Sequence, residues 1–227
     1  MKHLKIIALA AIAATALMAF AGSSASADVL CKAAPNKSDE CPTASGSYGS
    51  GTTFKATSTN ATLALNAFGI AGVTCSDSSV TVKTTSAGSQ IAGVDVTGEI
   101  PKEGLTWSGC ETEGFIHTAC TVSANATAYG VTITATHPPI GNGHLVITSP
   151  TSTTVICAGV GMHCTYTSAA NGITLEIIGG NPAELTAVNQ ILAGTGSGCP
   201  STAVWSATYV LTSPTALWIP PRWTSAL

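Results

Sequence analysis

The chain has 227 residues, of which 45% are hydrophobic and 8% charged, and its formal net charge is −3. Intrinsic disorder usually accompanies low hydrophobicity and high charge, so this composition predicts a folded protein. The few cations are scattered along the chain, which excludes the basic face that nucleic-acid binding requires.

The N-terminus has the pattern of a secretory signal peptide. Two lysines precede an apolar run from Ile6 to Phe20, and a small-x-small cleavage site ends at Ala27. The run is too short to span a bilayer. We therefore expect a signal peptide over 1–27 and a single β domain over 28–227. This domain should be secreted, extracellular or attached to the cell surface, and not inserted in a membrane after signal cleavage.

The stretch VLCKAAPNKSDEC, residues 29–41, places two cysteines at the start of the expected domain. Lipid attachment would require a small residue before Cys31, whereas Leu30 stands there. Zinc ligands usually lie two to four residues apart, and nine residues separate these cysteines. A disulfide that closes a short N-terminal loop is the interpretation that the stretch favours.

All eight cysteines lie in the expected secreted part, where oxidation is favoured. Their even number predicts four disulfides. Proximity in sequence favours the pairs 31–41, 110–120 and 157–164, which leaves 75–199, although 105 connectivities are formally open. The cysteines are Cys31, Cys41, Cys75, Cys110, Cys120, Cys157, Cys164 and Cys199.

Alternation of apolar and polar residues dominates the domain and predicts β-strands. Val131, Ile133 and Ala135 share one strand face, and Trp205 and Tyr209 share another. Turn sequences recur between such segments. This pattern predicts an all-β fold, an antiparallel β-sandwich or open barrel of about ten to twelve short strands, stapled by disulfides.

Residues 182–192 admit two interpretations. The sequence Asn181-Pro182-Ala183-Glu184 is typical of a helix start, and Leu185, Val188 and Leu192 follow at helical spacing. The same residues also divide into short strands, so helix and strand both remain open.

Acidic residues between strands offer one candidate for catalysis. Glycosidases use two carboxyl groups about 5 to 9.5 Å apart, and the candidates are Asp95, Glu99, Glu103, Glu111 and Glu113. Solvated turn acids are the simpler interpretation. We therefore predict no catalytic residues from the sequence, and we favour a non-enzyme over an enzyme.

Histidines supply the candidates for a metal site. His137 and His144 flank the turn PPIGNG, so a hairpin would bring them together, while His163 stands beside Cys164. No zinc or calcium motif occurs in the sequence. We therefore expect no metal ion and no cofactor.

Tryptophans supply the main candidate for ligand binding. The motif WIPPRW places Trp218, Arg222 and Trp223 on an extended Pro-Pro backbone, where exposed rings would hold a sugar or a peptide. The alternative is that Trp218 ends the last strand and the tail folds over an open end. Trp107 and Trp205 lie in strand patterns and are predicted to be core residues.

Several segments in order, LC…CP…Y..GTTF.A, GVTCSDSSV, LTWSGC, GGNPAEL and CPSTAVWSATYVLTSP, resemble a group of secreted, cysteine-bearing proteins of high-GC soil actinobacteria. The resemblance spans most of the expected domain. It implies secretion, a β-rich fold and a bacterial source, and it implies no activity.

We therefore expect a secreted non-catalytic protein with a structural or surface-associated binding role. Its expected partner is a polysaccharide or a cell-surface component. The two alternatives are a carbohydrate-binding module that uses the C-terminal tryptophans and a secreted hydrolase that uses paired carboxylates. Sequence does not fix the oligomeric state.

Overall fold

A computed structural model describes residues 29–35, 41–67, 70–88, 94–125, 128–136, 139–170 and 172–220. The expected signal peptide lies outside these residues. A short 3-10 helix, Ala158–Val160, accompanies thirteen β-strands. The strands are β1 Thr53–Ser58, β2 Ala61–Ala67, β3 Ile70–Thr84, β4 Val96–Ile100, β5 Leu105–Gly114, β6 Ala119–Ala124, β7 Tyr129–Ala135, β8 Gly143–Ile147, β9 Ser152–Cys157, β10 Met162–Ser168, β11 Ile173–Ile178, β12 Glu184–Thr195 and β13 Thr202–Ser213.

In several places, two consecutive strands run end to end and pair with the same neighbouring strand. Lys83 of β3 lies opposite Glu99 of β4, and Val80 of the same strand lies opposite Leu105 of β5. The same continuation joins β1 to β2, β6 to β7, β8 to β9 and β10 to β11. The thirteen strands thus form eight units, five of two strands and three (B, G and H) of one strand. We call all eight composite strands and name them A (53–67), B (70–84), C (96–114), D (119–135), E (143–157), F (162–178), G (184–195) and H (202–213).

Each composite strand pairs antiparallel with the next one along the chain, and strand H returns to pair with strand A. Lys55 lies opposite Ser213 and Ala64 lies opposite Val204, so this last pairing extends along both halves of strand A. The predicted antiparallel all-β fold is confirmed. Its pairings close the sheet into a ring with up-and-down connections.

The alternating sequence explains which side chains fill the ring. Val131 and Ile133 are buried, as are Ile173, Leu175 and Ile177, whereas the residues between them are more accessible. Successive side chains of a strand point to opposite faces, so the apolar positions meet inside the ring. They form one contiguous core.

Residues 184–195 form a strand, which settles the ambiguity between helix and strand. Leu185 and Leu192 are buried, but Val188, which helical spacing placed beside them, is 54% exposed. The pairing of strands G and H shifts register between Ala187 and Gln190. This bulge changes the alternation and gives the sequence its helix-like spacing.

The two terminal segments cover one end of the ring. The Cys31 N–H donates to the Trp218 carbonyl at 2.8 Å, and the Trp218 N–H donates back at 3.2 Å. Leu30, Leu217 and Ile219 are buried beneath this pairing. Of the described residues, none belongs to a helix long and apolar enough to cross a membrane.

Four disulfides form, and only one of the four favoured pairs is correct. Cys31–Cys41 was predicted, but the other bonds are Cys75–Cys110, Cys120–Cys157 and Cys164–Cys199. The favoured pairs 110–120, 157–164 and 75–199 are wrong.

Three favoured pairs are wrong because neighbouring strands bring together cysteines that are distant in the sequence. Cys110 lies opposite Cys75 on one side and opposite Cys120 on the other, so proximity in sequence cannot decide its partner. Cys157 lies opposite Met162 in its own hairpin, and Cys164 lies opposite Val155. Three of the bonds therefore close loops with sequence separations of 35 to 37 residues.

Peptide mapping of the oxidised protein under acidic, non-reducing conditions should recover a peptide pair that joins Cys164 to Cys199. Recovery of a Cys157–Cys164 linkage instead would contradict the ring.

The double variant Cys164→Ser/Cys199→Ser should lower the free energy of unfolding by about 3 to 4 kcal/mol, because the loop it releases is long. Urea unfolding measures this loss.

Candidate functional site

The interior of the ring contains a cavity of about 60 Å³. All eight composite strands contribute to its wall, so the cavity depends on closure of the whole ring. The space exceeds what one water molecule needs and is far smaller than a pocket for a drug-sized ligand. Its wall includes Ala61, Leu63, Val73, Val80, Ile100, Leu105, Trp107, Val122, Leu145, Ile147, Thr151, Thr153, Val155, Tyr166, Ile173, Leu175, Leu185, Leu192, Trp205 and Tyr209.

Two tryptophans show that the interior is not completely filled. Trp205 lies between the buried residues Ala203 and Ala207 on the inward face of strand H, yet it is only partly buried. Trp107 is also partly buried and packs against the core. Both were predicted as core residues. Both pack against the core but are only partly buried, and both line the cavity.

Three aromatic residues of the cavity wall carry buried polar atoms. The Tyr209 and Ser78 hydroxyls form a buried hydrogen bond of 2.8 Å. The Tyr166 hydroxyl and the Trp205 Nε1 are buried and have no hydrogen-bond partner among the described residues. A buried polar group without a partner destabilises a fold by roughly 1 to 3 kcal/mol, so these two atoms require an explanation.

Burial keeps the phenol groups neutral. It raises the pKa of Tyr166 to about 12. It also raises the pKa of Tyr209 to about 12, although the hydrogen bond from Ser78 acts in the opposite direction. Both hydroxyls therefore remain protonated at neutral pH and can donate a hydrogen bond, while the indole N–H of Trp205 can only donate.

Gly194 brings the ring of Tyr166 against strand G. The two residues lie directly opposite each other across strands F and G. A Cβ at position 194 would lie 2.7 Å from Cε1 of Tyr166, a distance that real side chains do not reach. Glycine at this position thus makes room both for the Pro200 carbonyl oxygen, which lies even nearer, and for the ring of Tyr166, which is 1% exposed.

The cavity wall carries no Asp, Glu, Lys, Arg or His among the described residues. An ionised ligand would therefore leave water without finding a counter-charge, which costs several kcal/mol. The wall can accept a neutral molecule, and most of its surface is apolar.

One level of the ring wall is interrupted in four neighbouring strands. The breaks between β4 and β5, β6 and β7, β8 and β9, and β10 and β11 lie side by side, as shown by the pairing of Ile100 with Tyr129 and the 2.9 Å bond from the Ser168 N–H to the Thr151 carbonyl. Ile100, Thr151 and Ile173 flank these breaks and line the cavity.

The C-terminal tryptophan site is only partly within the described residues. Trp218 is half-buried, and its side chain packs over two glycines, where an added Cβ would lie 2.9 Å (Gly141) or 3.0 Å (Gly179) from its Cδ1. The Trp218 ring therefore contacts the end of the ring of strands, as the alternative to an exposed binding site supposed for this residue. Arg222 and Trp223 lie outside the described residues.

The acids proposed as a hydrolytic pair lie away from the cavity lining. Glu103, Glu111 and Glu113 are exposed, and Glu113 accepts a hydrogen bond from the Thr74 hydroxyl. Glu99 lies opposite Lys83 across strands B and C. None of these contacts places two carboxyl groups in a shared pocket.

The candidate metal ligands are separated in a similar way. His144 is half-buried on β8, His137 lies outside the described residues, and Cys164 is bonded to Cys199. No group of three or more His, Cys, Asp or Glu side chains within the described ranges could hold a metal ion.

Sequence reasoning missed the cavity and the two unpartnered donors. Tyr166 and Trp205 occupy ordinary inward positions of their strands, and nothing in the local sequence distinguishes them from filled core positions. The only local signal is the glycine at 194, whose reason emerges once strand F is placed beside strand G.

Comparison with protein-family models, curated proteins and solved structures finds no match to this chain.

The free energy of unfolding should fall as the pH rises from about 10 to about 12. In this window the unfolded tyrosines ionise near their ordinary pKa of 10, whereas folded Tyr166 and Tyr209 keep their protons. The contribution of each buried tyrosine to the free energy of unfolding is complete below pH 10. It falls by up to about 3 kcal/mol as the pH rises towards 12. Denaturant unfolding as a function of pH measures the slope.

The variant Tyr166→Phe should reduce this slope, because it removes one of the two phenols. Absorbance at 295 nm should show two tyrosines that ionise only near pH 12 in the native protein. A native titration complete by pH 10.5 would contradict the buried positions.

Proposed function

We propose that this chain is a secreted, non-catalytic binding protein that holds a small apolar molecule inside its ring of strands. The observation that carries the proposal is the central cavity, whose wall is apolar, uncharged and contributed by all eight composite strands. Closed rings of eight strands have an interior that is either filled by side chains or holds one small ligand. The half-buried inward tryptophans favour the second case.

Secretion is supported by the sequence of the N-terminus and by the four disulfides. Such bonds persist in oxidising compartments and are rare in reducing ones. A ligand that reaches the protein from outside the cell would meet a rigid ring, since Cys75–Cys110 and Cys120–Cys157 each connect neighbouring strands.

The interior is a better-supported site than the C-terminal tryptophans or the paired acids. Contact of Trp218 with Gly141 and Gly179 covers part of the face that a sugar ring would need. The acids Glu111 and Glu113 lie on the solvent side of strand C. Binding of a polysaccharide or of a cell-surface component would have to use the outside of the ring.

Filling the cavity should abolish binding of a small hydrocarbon. Val122 is half-buried, inward-facing and part of the cavity wall, so Val122→Phe should occupy the free space. We expect the affinity for 2-methyl-1-butene, followed by chemical shifts of the ¹⁵N-labelled protein, to fall at least tenfold. The fold should persist, because the added atoms enter existing space.

The matched control is Thr121→Phe, which adds the same ring to the exposed face of the same strand. It should leave the affinity unchanged. If the hydrocarbon binds the native protein and both variants equally, its site is not the cavity. If the native protein binds neither this hydrocarbon nor any other small neutral molecule, the proposed function is wrong.

A further inference from the structure

We infer that four cysteines on neighbouring strands form a relay for thiol–disulfide exchange, in which a small thiol shifts the bonding from two native disulfides to a third pair. The four are Cys75 of strand B, Cys110 of strand C, Cys120 of strand D and Cys157 of strand E. The inference uses only the disulfides and the register of the strands, so it does not depend on the proposed function.

The register of the sheet places the four cysteines in one row. Cys75 lies directly opposite Cys110, and Cys110 lies directly opposite Cys120 on its other side. The register of strands D and E, continued by one residue, places Cys120 opposite Cys157, to which it is bonded. Residues directly opposite each other have their side chains on the same face of a sheet. The row is therefore continuous across four strands.

The central pair of the row, Cys110 and Cys120, is unbonded but close enough in register for a disulfide. Directly opposite residues have Cβ atoms about 4.5 to 5.5 Å apart, and disulfides join Cβ atoms about 3.5 to 4.5 Å apart. The bond Cys75–Cys110 already joins two directly opposite residues of this sheet. The same small approach of neighbouring strands can join Cys110 to Cys120, so the ring needs no rearrangement.

A low-molecular-weight thiol such as glutathione starts the exchange. Cys120 is half-buried, whereas Cys157 is fully buried, so the external thiolate attacks the Sγ of Cys120. A mixed disulfide forms, and Cys157 leaves as a thiolate and takes up a proton. A second thiol displaces the first from Cys120. Two external thiols are thereby oxidised to one disulfide, and the Cys120–Cys157 bond is reduced.

The Cys120 thiolate then attacks the Sγ of Cys110. A bond forms between Cys110 and Cys120, the Cys75–Cys110 bond breaks, and its electron pair leaves with Cys75, which takes up a proton. The order of the strands puts the attacking and the leaving cysteine on opposite sides of Cys110, as displacement at sulfur requires. This step consumes no reductant, because one disulfide replaces another.

Opening of the Cys75–Cys110 bond first leads to the same product. The Cys110 thiolate then attacks Cys120, and Cys157 leaves. Cys75 and Cys157 stand at the two ends of the row, about 14 Å apart at the usual strand spacing, which is too far for a disulfide. The exchanged state therefore has one bond in the middle of the row and one thiol at each end.

The exchange moves the covalent links between strands of the cavity wall. The native bonds link strand B to C and strand D to E, while β5 and β6, of strands C and D, share only two residue pairs. The exchanged bond links C to D at this sparse pairing. Cys75, which lines the cavity, then carries a free thiol. Small thiols outside the cell thereby change which strands around the cavity are tied together.

Limited reduction of the folded native protein tests the relay. The protein is held with reduced glutathione in denaturant-free buffer, and timed samples are acidified, alkylated with N-ethylmaleimide and mapped by mass spectrometry. We expect the label on Cys120 and Cys157 first, and on Cys75 and Cys157 later, together with a peptide pair that joins Cys110 to Cys120. Label that stays on Cys120 and Cys157 throughout, with Cys75–Cys110 intact, would overturn the inference.

The variant Cys157→Ser tests the exchange step alone, because it frees Cys120 without a reductant. We expect two isomers, one bonded Cys75–Cys110 and one bonded Cys110–Cys120. The second should make up at least about a tenth of the molecules, which corresponds to bonds that differ by no more than about 1.4 kcal/mol. If Cys75–Cys110 is the only bond found and all of Cys120 is alkylated, the exchange step is wrong.

The matched control is Cys199→Ser, which frees Cys164 from a bond of the same sequence separation as Cys75–Cys110. Val155, and not a cysteine, lies opposite Cys164 on strand E. The other three disulfides should therefore remain unchanged, with the label on Cys164 alone. Equal scrambling in both variants would show that exchange does not follow the row and would overturn the relay. If Cys157→Ser does not fold, the time course of the native protein decides.

Discussion

The hydrogen bonding of strand H to strand A is the interaction on which the rest of the structure depends. It joins residues about 150 positions apart, and it converts a meander of neighbouring hairpins into a closed ring. Without it, the inward side chains of strands A and H would each lose the neighbouring strand that packs against them on one side. Tyr209 would also lose its hydrogen bond to Ser78, which depends on strands H and B lying on the two sides of strand A.

Closure also explains why the molecule contains a cavity. The circumference of the ring is set by eight strands, while the interior must be filled by whichever side chains the inward positions supply. Alanines at positions 61, 203 and 207 are small, and the tryptophans at 107 and 205 are long but flat. A ring of this size with this mixture of residues leaves a gap in its interior, which Tyr166 and Trp205 help to line.

Local features of this fold are predictable from the sequence, and long-range features are not. Alternation at residues 131–135 and 173–177 reports the inward face directly, because side chains alternate in any strand. The partner of Cys110 is not predictable, since the sheet places a cysteine on each side of it. The bulge in strand G imitates a helical pattern at Leu185, Val188 and Leu192. The cavity arises only after all eight strands have met, so no single segment encodes it.

The closed ring has a further consequence for the edges of its strands. Every described strand is paired with a neighbour on each side, although β5 and β6 share only two residue pairs. Charged side chains usually protect strand edges from pairing with other molecules, and only 8% of this chain is charged. In this fold, pairing within the ring occupies most of the backbone groups that charged side chains would otherwise have to protect.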